Sequence, residues 1–130
     1  MAAPTNNFYL TPIQSNVGAC EGTFTPSIAS LGATGDVYYM PQLANNGLGI
    51  SISAPSTGVV KLQASTDTRA NVKAGTALWA DVSGATSTGG TVYQGTIAYP
   101  VTALQLVVTT QLAANVATIA IRTNSATGNN

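Results

Sequence analysis

Apolar and polar residues alternate with a period of two in the second half of this chain, and this alternation constrains its fold most. Val60, Leu62 and Ala64 fall on one side of a predicted strand, with Lys61 and Gln63 on the other. The segments 103–109 and 117–122 repeat the pattern. Successive side chains of a strand point to opposite faces, so each segment predicts a half-buried antiparallel strand.

Turn-forming sequences separate these strands from others of similar length. Asn-Asn-Gly at 45–47, Pro-Ser-Thr-Gly at 55–58 and Ser-Thr-Gly-Gly at 87–90 supply the residues that hairpins need. Helix signals are almost absent, because residues that favour strands and turns dominate. We therefore predict an all-β fold, a single antiparallel β-sandwich that is jelly-roll-like. Its predicted strands are 8–13, 21–25, 36–40, 49–54, 59–65, 78–82, 91–97, 103–109 and 117–122.

A length of 130 residues fits one domain with one core. We predict an extended N-terminal arm with a possible first strand over residues 1–20, a β-sandwich over 21–124 and a flexible tail over 125–130. The apolar segment 8–13 has two possible roles. It is either the first strand of the core or an arm that docks on a neighbouring subunit by strand addition.

The chain is unusually poor in charge. Charged residues make up 6% of the sequence and the formal net charge is zero, against roughly 25% charged residues in an average soluble domain. No basic field is available for a phosphate backbone, so nucleic acid is not an expected partner. A neutral chain lacks self-repulsion, which favours a homo-oligomer. No segment approaches the roughly 18 apolar residues of a membrane span, and no signal peptide is visible.

The residue types of common catalytic sites are missing. The sequence has no histidine and a single cysteine, Cys20, so a Ser-His-Asp triad, a Cys-His pair and a Cys/His zinc site are excluded. A pair of carboxylates is the remaining enzymatic option, drawn from Glu21, Asp36, Asp67 and Asp81. We expect these carboxylates to be solvated or to form turns. A non-enzymatic protein without cofactor or small-molecule substrate is therefore predicted, with a calcium site left open.

Aromatic residues supply the candidate contacts with a partner. Trp79 lies in the predicted strand 78–82 and is expected in the core, although a stacking platform for sugars or bases is the alternative. Tyr38 and Tyr39 are neighbours on one strand, so one ring is expected to face outward, towards water or a partner. The candidate partner contacts are Phe8, Tyr9, Leu10, Ile13, Tyr38 and Tyr39.

Four segments of the chain resemble a pattern found in small β-sandwich modules of tailed-bacteriophage virion proteins. They are Gly58 to Asp67 (GVVKLQASTD), Leu78 to Val82 (LWADV), Pro100 to Thr109 (PVTALQLVVT) and Ala117 to Ile121 (ATIAI). The resemblance implies a head decoration or cement protein, made in the host cytoplasm and located on the capsid surface of the virion. Its implied partners are the major capsid protein and copies of itself.

Two other functions stay open at the level of sequence. One is a tail-fibre or receptor-binding module that recognises host glycans through exposed tyrosines. The other is a glycan hydrolase, for which Asp67 and Asp81 are the candidate carboxylates.

Overall fold

The computed structural model describes residues 6–9, 11–12, 20–25, 32–33, 36–40, 48–54, 57–110 and 117–123. The predicted turn at 45–47, the tail at 125–130, Leu10 and Ile13 lie outside them. Within these ranges the all-β prediction is confirmed. The elements are β1 (Asn6–Tyr9), β2 (Thr11–Pro12), β3 (Cys20–Phe24), β4 (Gly32–Ala33), β5 (Asp36–Tyr39), β6 (Leu48–Ser53), β7 (Val59–Ser65), α1 (Arg69–Ala74), β8 (Ala80–Thr88), β9 (Val92–Ile97), β10 (Ala103–Thr110) and β11 (Thr118–Thr123).

The strands form two sheets, which confirms the predicted β-sandwich. Sheet A has the order β1-β5-β10-β7-β8, and β4 also pairs with β10. Sheet B has the order β2-β3-β11-β6-β9. All strand pairs of the described residues are antiparallel, as predicted for the sandwich, except β1 with β5, which is parallel. The chain crosses to sheet B between β1 and β5, and such a crossover permits parallel pairing.

The main core lies between the two sheets and is built from the alternating residues. The rows predicted to face inward, which include Leu62 and Leu106 on sheet A and Ile119 on sheet B, are buried. The stack of Phe24 from β3 on Tyr38 from β5 spans the sandwich, with ring centroids 4.7 Å apart. Aromatic pairs of this kind add to the free energy gained by burying apolar area.

The turn between β8 and β9 carries the chain from sheet A to sheet B, because β8 pairs with β7 and β9 pairs with β6. It uses Gly89 and Gly90, whose φ angles are 54° and 83°, as the glycine pair predicts. The Ser87 hydroxyl donates to the Thr91 carbonyl and accepts from the Ala54 amide, at 2.8 Å in the latter case. These hydrogen bonds connect the end of β6 in sheet B to the β8–β9 turn, so they join the two sheets on this side of the sandwich.

The helix α1 was not predicted, because six residues with one buried side chain, Val72, give no helical periodicity. Its ends have recognisable signals. The Thr68 hydroxyl accepts from the Asn71 amide at 3.1 Å, and Gly75 ends the helix with φ 79°. These are the N-cap and C-terminal residues that short helices favour. The helix packs on the outer face of sheet A.

Gly95 lies in β9 beneath the Tyr93 side chain, so a substitution at Gly95 tests how tightly Tyr93 is packed. A β-carbon there would lie 2.7 Å from Tyr93 Cζ, which is closer than real contacts allow, whereas at Gly49 the nearest atom would be the Arg122 carbonyl oxygen at 3.9 Å. Tyr93 packs against the main core, so its ring cannot move without cost. We expect Gly95→Ala to lower the free energy of unfolding by about 1–3 kcal/mol in urea titrations.

Gly49→Ala is the matched control, and it should be neutral or slightly stabilising because alanine loses less backbone entropy than glycine. In a Tyr93→Ala background the Gly95→Ala cost should disappear. Equal losses for the two glycine variants would contradict this account.

Candidate interaction site

The two adjacent tyrosines of β5 point to opposite faces of sheet A, as predicted. Tyr38 enters the main core and Tyr39 lies on the outer face, but their exposures are 0% and 1%. The expectation that one ring is open to water or a partner is therefore wrong. The physical reason is that α1 and β1 cover the outer face beside Tyr39. Burial, and secondarily Asp36, raise the pKa of the Tyr38 hydroxyl, which keeps it neutral.

Four side chains from three elements meet where the outward ring is covered, and we call this group the aromatic corner. The Tyr9 ring of β1 stacks on Tyr39, with centroids 5.0 Å apart. The Arg69 guanidinium carbon lies 5.8 Å from the Tyr9 centroid and 5.5 Å from that of Tyr39. The Lys73 ammonium nitrogen lies 6.0 and 5.9 Å from the same centroids. These distances suit cation–π attraction to both rings.

Two further contacts fix the aromatic corner in place. The Arg69 guanidinium donates to the Met40 carbonyl, just after β5. Trp79 packs with Tyr39 and Val72 in a second, smaller cluster between α1 and sheet A. Trp79 is thus partly buried, as its predicted core role requires, but beneath the helix and not between the sheets. Burial, then Tyr9, raise the pKa of Tyr39, while Arg69 opposes them.

Tyr9 is the solvent-exposed ring of the aromatic corner. Its side chain is 49% exposed although its ring rests on a fully buried partner. A ring held on one side and open on the other loses little conformational entropy when something covers it. The aromatic corner therefore offers a rigid, half-exposed aromatic flanked by two cations.

The charges of the chain divide into paired and unpaired groups. Lys61 pairs with Asp81 at 3.0 Å, and Arg122 pairs with Glu21 at 3.1 Å. Arg69 and Lys73 form no ion pair with any carboxylate of the described residues. No carboxylate of the described residues therefore lies within ion-pair distance of either cation at the aromatic corner.

Asp67 holds α1 against the sheet through three hydrogen bonds. One carboxylate oxygen accepts from the Asn71 side chain at 2.9 Å and the Thr68 amide at 2.8 Å, and the other accepts from the Leu78 amide at 3.0 Å. The Asn71 bond, followed by the two backbone bonds, lowers the pKa of Asp67. The carboxylate thus joins the start of α1 to the segment that leads into β8.

Beside the helix, a row of polar side chains covers the rest of the outer face of sheet A. Gln105 donates to Gln63 at 2.8 Å, Gln63 donates to Asp81 at 2.9 Å, and Lys61 donates to the other Asp81 oxygen. The Gln63 and Lys61 bonds lower the pKa of Asp81. The row satisfies these groups across three neighbouring strands.

The outer face of sheet B contains a shallow groove of about 900 Å³. Gly49, Ser51 and Ala120 form its floor, and Gln94 lies on the edge strand β9. The Glu21–Arg122 ion pair lies at one end, with half or more of each side chain exposed. The groove is lined by hydroxyl, amide and charged groups together with apolar surface.

The carboxylates considered for hydrolysis lie in different settings. Asp36 is buried, Glu21 lies on sheet B, and Asp67 and Asp81 accept the hydrogen bonds described above. No cluster of three or more Asp, Glu or Cys side chains with metal-binding spacing occurs within the described ranges. No helix among the described residues is long and apolar enough to cross a bilayer.

Of the six predicted contact residues, the structure brings Tyr9 and Tyr39 together and separates both from Tyr38. Phe8 is an edge-strand residue whose backbone pairs beside Tyr38, and its side chain lies outside the described part, as do Leu10 and Ile13. Where the sequence predicted one strand over 8–13, the structure has β1 and β2, and each pairs within the same chain, β1 with β5 and β2 with β3. Sequence reasoning missed Arg69 and Lys73, for which the N-cap Thr68 and the Gly75 stop were the available signals.

Comparisons with known proteins give distant structural likenesses. No protein-family profile and no curated protein matches the chain. A pilus subunit of Bacillus endospore appendages is 11% identical over 82% of this chain and 85% of its own, with a TM-score of 0.38. The periplasmic g-type lysozyme inhibitor PliG of Aeromonas hydrophila is 16% identical over 91% and 96%, with a TM-score of 0.35. Likenesses with TM-scores this low do not support an argument about function. Neither of these two proteins is described as a phage protein.

The lowered pKa of Asp67 makes the stability contribution of this residue depend on pH. Because the pKa is depressed in the folded state, the contribution is present above the ordinary carboxyl pKa of about 4 and is lost as pH falls through the folded value. We expect Asp67→Asn to be less stable than the native chain at neutral pH. The difference should shrink below about pH 4, measured by urea unfolding followed by Trp79 fluorescence.

Glu21→Gln is the control, since it removes the same charge from sheet B without touching α1. A difference between Asp67→Asn and the native chain that stays constant from neutral to acidic pH would contradict the role assigned to the carboxylate.

Proposed function

We propose that this chain is a non-enzymatic structural protein of a phage virion that binds the outside of the capsid and stabilises it. The observation that carries the proposal is the aromatic corner, in which Tyr9 is presented on buried Tyr39. The resemblance of residues 58–122 to virion modules supports the particular setting. In this role the protein is made in the host cytoplasm, is located on the capsid surface, and has the major capsid protein as its partner.

A binding role without catalysis suits the way the polar groups are used. Asp67 and Asp81 each accept several hydrogen bonds, and bonds of this kind hold a carboxylate ionised and in place. A general acid needs the opposite, a raised pKa near the working pH. The geometry therefore favours structural roles for both residues over glycan hydrolysis.

Contact with copies of the same chain has a physical basis in the sheet edges. β1 and β8 are the edge strands of sheet A, and an edge strand presents unpaired backbone groups to a neighbour. With zero net charge, copies of this chain do not repel one another over long distances. Many weak contacts repeated over a shell add through multivalency.

The proposal predicts stoichiometric binding to capsids that lack the protein, measured by co-sedimentation. We expect Tyr9→Ala to weaken this binding about fivefold or more, since truncating a central interface aromatic commonly costs about 1 kcal/mol or more. The fold should survive, because the Tyr9 ring lies half in solvent.

Tyr99→Ala is the matched control, because Tyr99 is 48% exposed and Tyr9 is 49% exposed. The Tyr99 variant should bind like the native chain. Absence of co-sedimentation by the native chain would remove the decoration function, and equal losses for the two variants would remove the aromatic corner from it.

The groove on sheet B favours a second candidate function, recognition of host glycans. Its hydroxyl and amide groups suit sugar hydroxyls, and its small-residue floor leaves room for a flat polar chain. This replaces the sequence-based version of the hypothesis, in which Tyr38 and Tyr39 contact the sugar, because both rings are buried.

A glycan array separates the two functions. If glycan recognition is the function, the native chain gives specific signals and Ser51→Leu abolishes them by filling the groove. Ser53→Leu is the control, because Ser53 lies on the same face of β6 but outside the groove lining. No array signal, or a signal that Ser51→Leu leaves intact, would eliminate the groove as the glycan site.

A further inference from the structure

We propose that the aromatic corner recognises a carboxylate-bearing protein segment of its partner, which covers the Tyr9 ring and is held by Arg69 and Lys73 beside it. This inference rests on the proposed binding role and names the chemistry of the partner surface. The proposed function needs only the exposed Tyr9 ring, whereas this inference adds a role for the two positive charges beside it.

The distribution of charge is the first argument. The chain has four basic residues, and the two outside the aromatic corner are neutralised by carboxylates at 3.0 and 3.1 Å. The two in the corner meet only aromatic faces and a backbone carbonyl among the described residues. Among the described residues, the aromatic corner is therefore where two cations without a carboxylate partner lie close together, and such a pair attracts an anion.

The arrangement of the two cations is the second argument. Arg69 and Lys73 are four residues apart on α1, so their side chains share one side of the helix. Both lie within about 6 Å of the Tyr9 centroid. Each cation is nearly equidistant from the Tyr9 and Tyr39 centroids, so both charges lie beside the stacked pair. A segment that covers the exposed Tyr9 ring and extends past its edge would therefore bring a carboxylate to them.

The size of the site favours carboxylates over a polyanion. Phosphate-backbone binding draws on many basic residues along a stripe, of the order of 6–10 contacts, and this site has two. A short acidic segment offers one or two carboxylates together with apolar side-chain carbons. The former suit the guanidinium and ammonium groups, and the latter suit the Tyr9 ring.

The experiment uses a capped peptide of alternating glutamate and alanine, with a glutamine-alanine peptide of equal length as the neutral probe. We expect the acidic peptide to shift the nuclear magnetic resonance signals of Tyr9, Arg69 and Lys73 in a saturable way. The neutral peptide should not. Affinity should fall as salt rises from about 0.05 to about 0.5 M, because screening shortens the range of the attraction.

Lys73→Gln should weaken acidic-peptide binding about two- to fivefold, the equivalent of one exposed ion pair, and Lys73→Glu should weaken it further. Lys61→Gln removes the same charge from the paired group and should leave affinity unchanged. For Arg69→Gln, the peptide affinity is compared together with the urea unfolding midpoint of the variant, because Arg69 also donates a hydrogen bond to the Met40 carbonyl and so contributes to stability.

The outcomes distinguish this inference from the proposed function. No saturable binding of the acidic peptide, equal binding of both peptides, or equal effects of Lys73→Gln and Lys61→Gln would overturn the carboxylate assignment. If the native chain still co-sediments with capsids in that case, the decoration function stands without it. Acidic-peptide binding at the corner without capsid binding would instead leave the assignment and remove the capsid as partner.

Discussion

Burial of β10 on both of its faces is the constraint on which the rest of this structure depends. Leu104 and Leu106 face sheet B, while Ala103 and Gln105 face outward and are buried as well. An outward face that is shielded from water must be covered by something that satisfies its groups. The helix α1 and the aromatic corner cover one end of it, and the bond from Gln105 to Gln63 covers the next position.

The residues that lie over the outer face of β10 also form the candidate interaction site. Tyr39 lies beside Ala103 in the register of sheet A, so the ring that shields this end of the sheet becomes the base on which Tyr9 stacks. The same helix that closes the small core brings Arg69 and Lys73 to the rings. The contacts that stabilise this end of the sheet are therefore the same ones that form the proposed recognition site, and the cations contribute to stability through their attraction to the aromatic rings.

Particular elements show how far sequence reasoning reaches. The strands at 59–65 and 103–109 were placed within a residue of β7 and β10, because both alternate regularly against a single apolar core. The helix was missed because it is too short for a period to appear. The outward position of Tyr39 followed from the alternation of strand residues, but its burial did not, since alternation gives the face of a side chain and not what lies over that face.

The site follows the same division. Tyr9 could be proposed from its aromatic character near the start of the chain, whereas Arg69 and Lys73 gave no pattern that linked them to it. Sixty residues separate Arg69 from Tyr9 in sequence, and only the pairing of β1 with β5 and the packing of α1 on sheet A bring them together. No local rule predicts such a meeting, because it depends on the order of strands across the sheet.

The sequence by itself determined the all-β class, the inward rows of the sandwich, the glycine turn between β8 and β9 and the absence of histidine chemistry, because these depend on local period and residue type. The tertiary structure alone decided the parallel pairing of β1, the cover over Tyr39 and the division of the cations into paired and unpaired. Those features depend on contacts between residues far apart in the chain, whose energies are set by burial and geometry in the folded molecule.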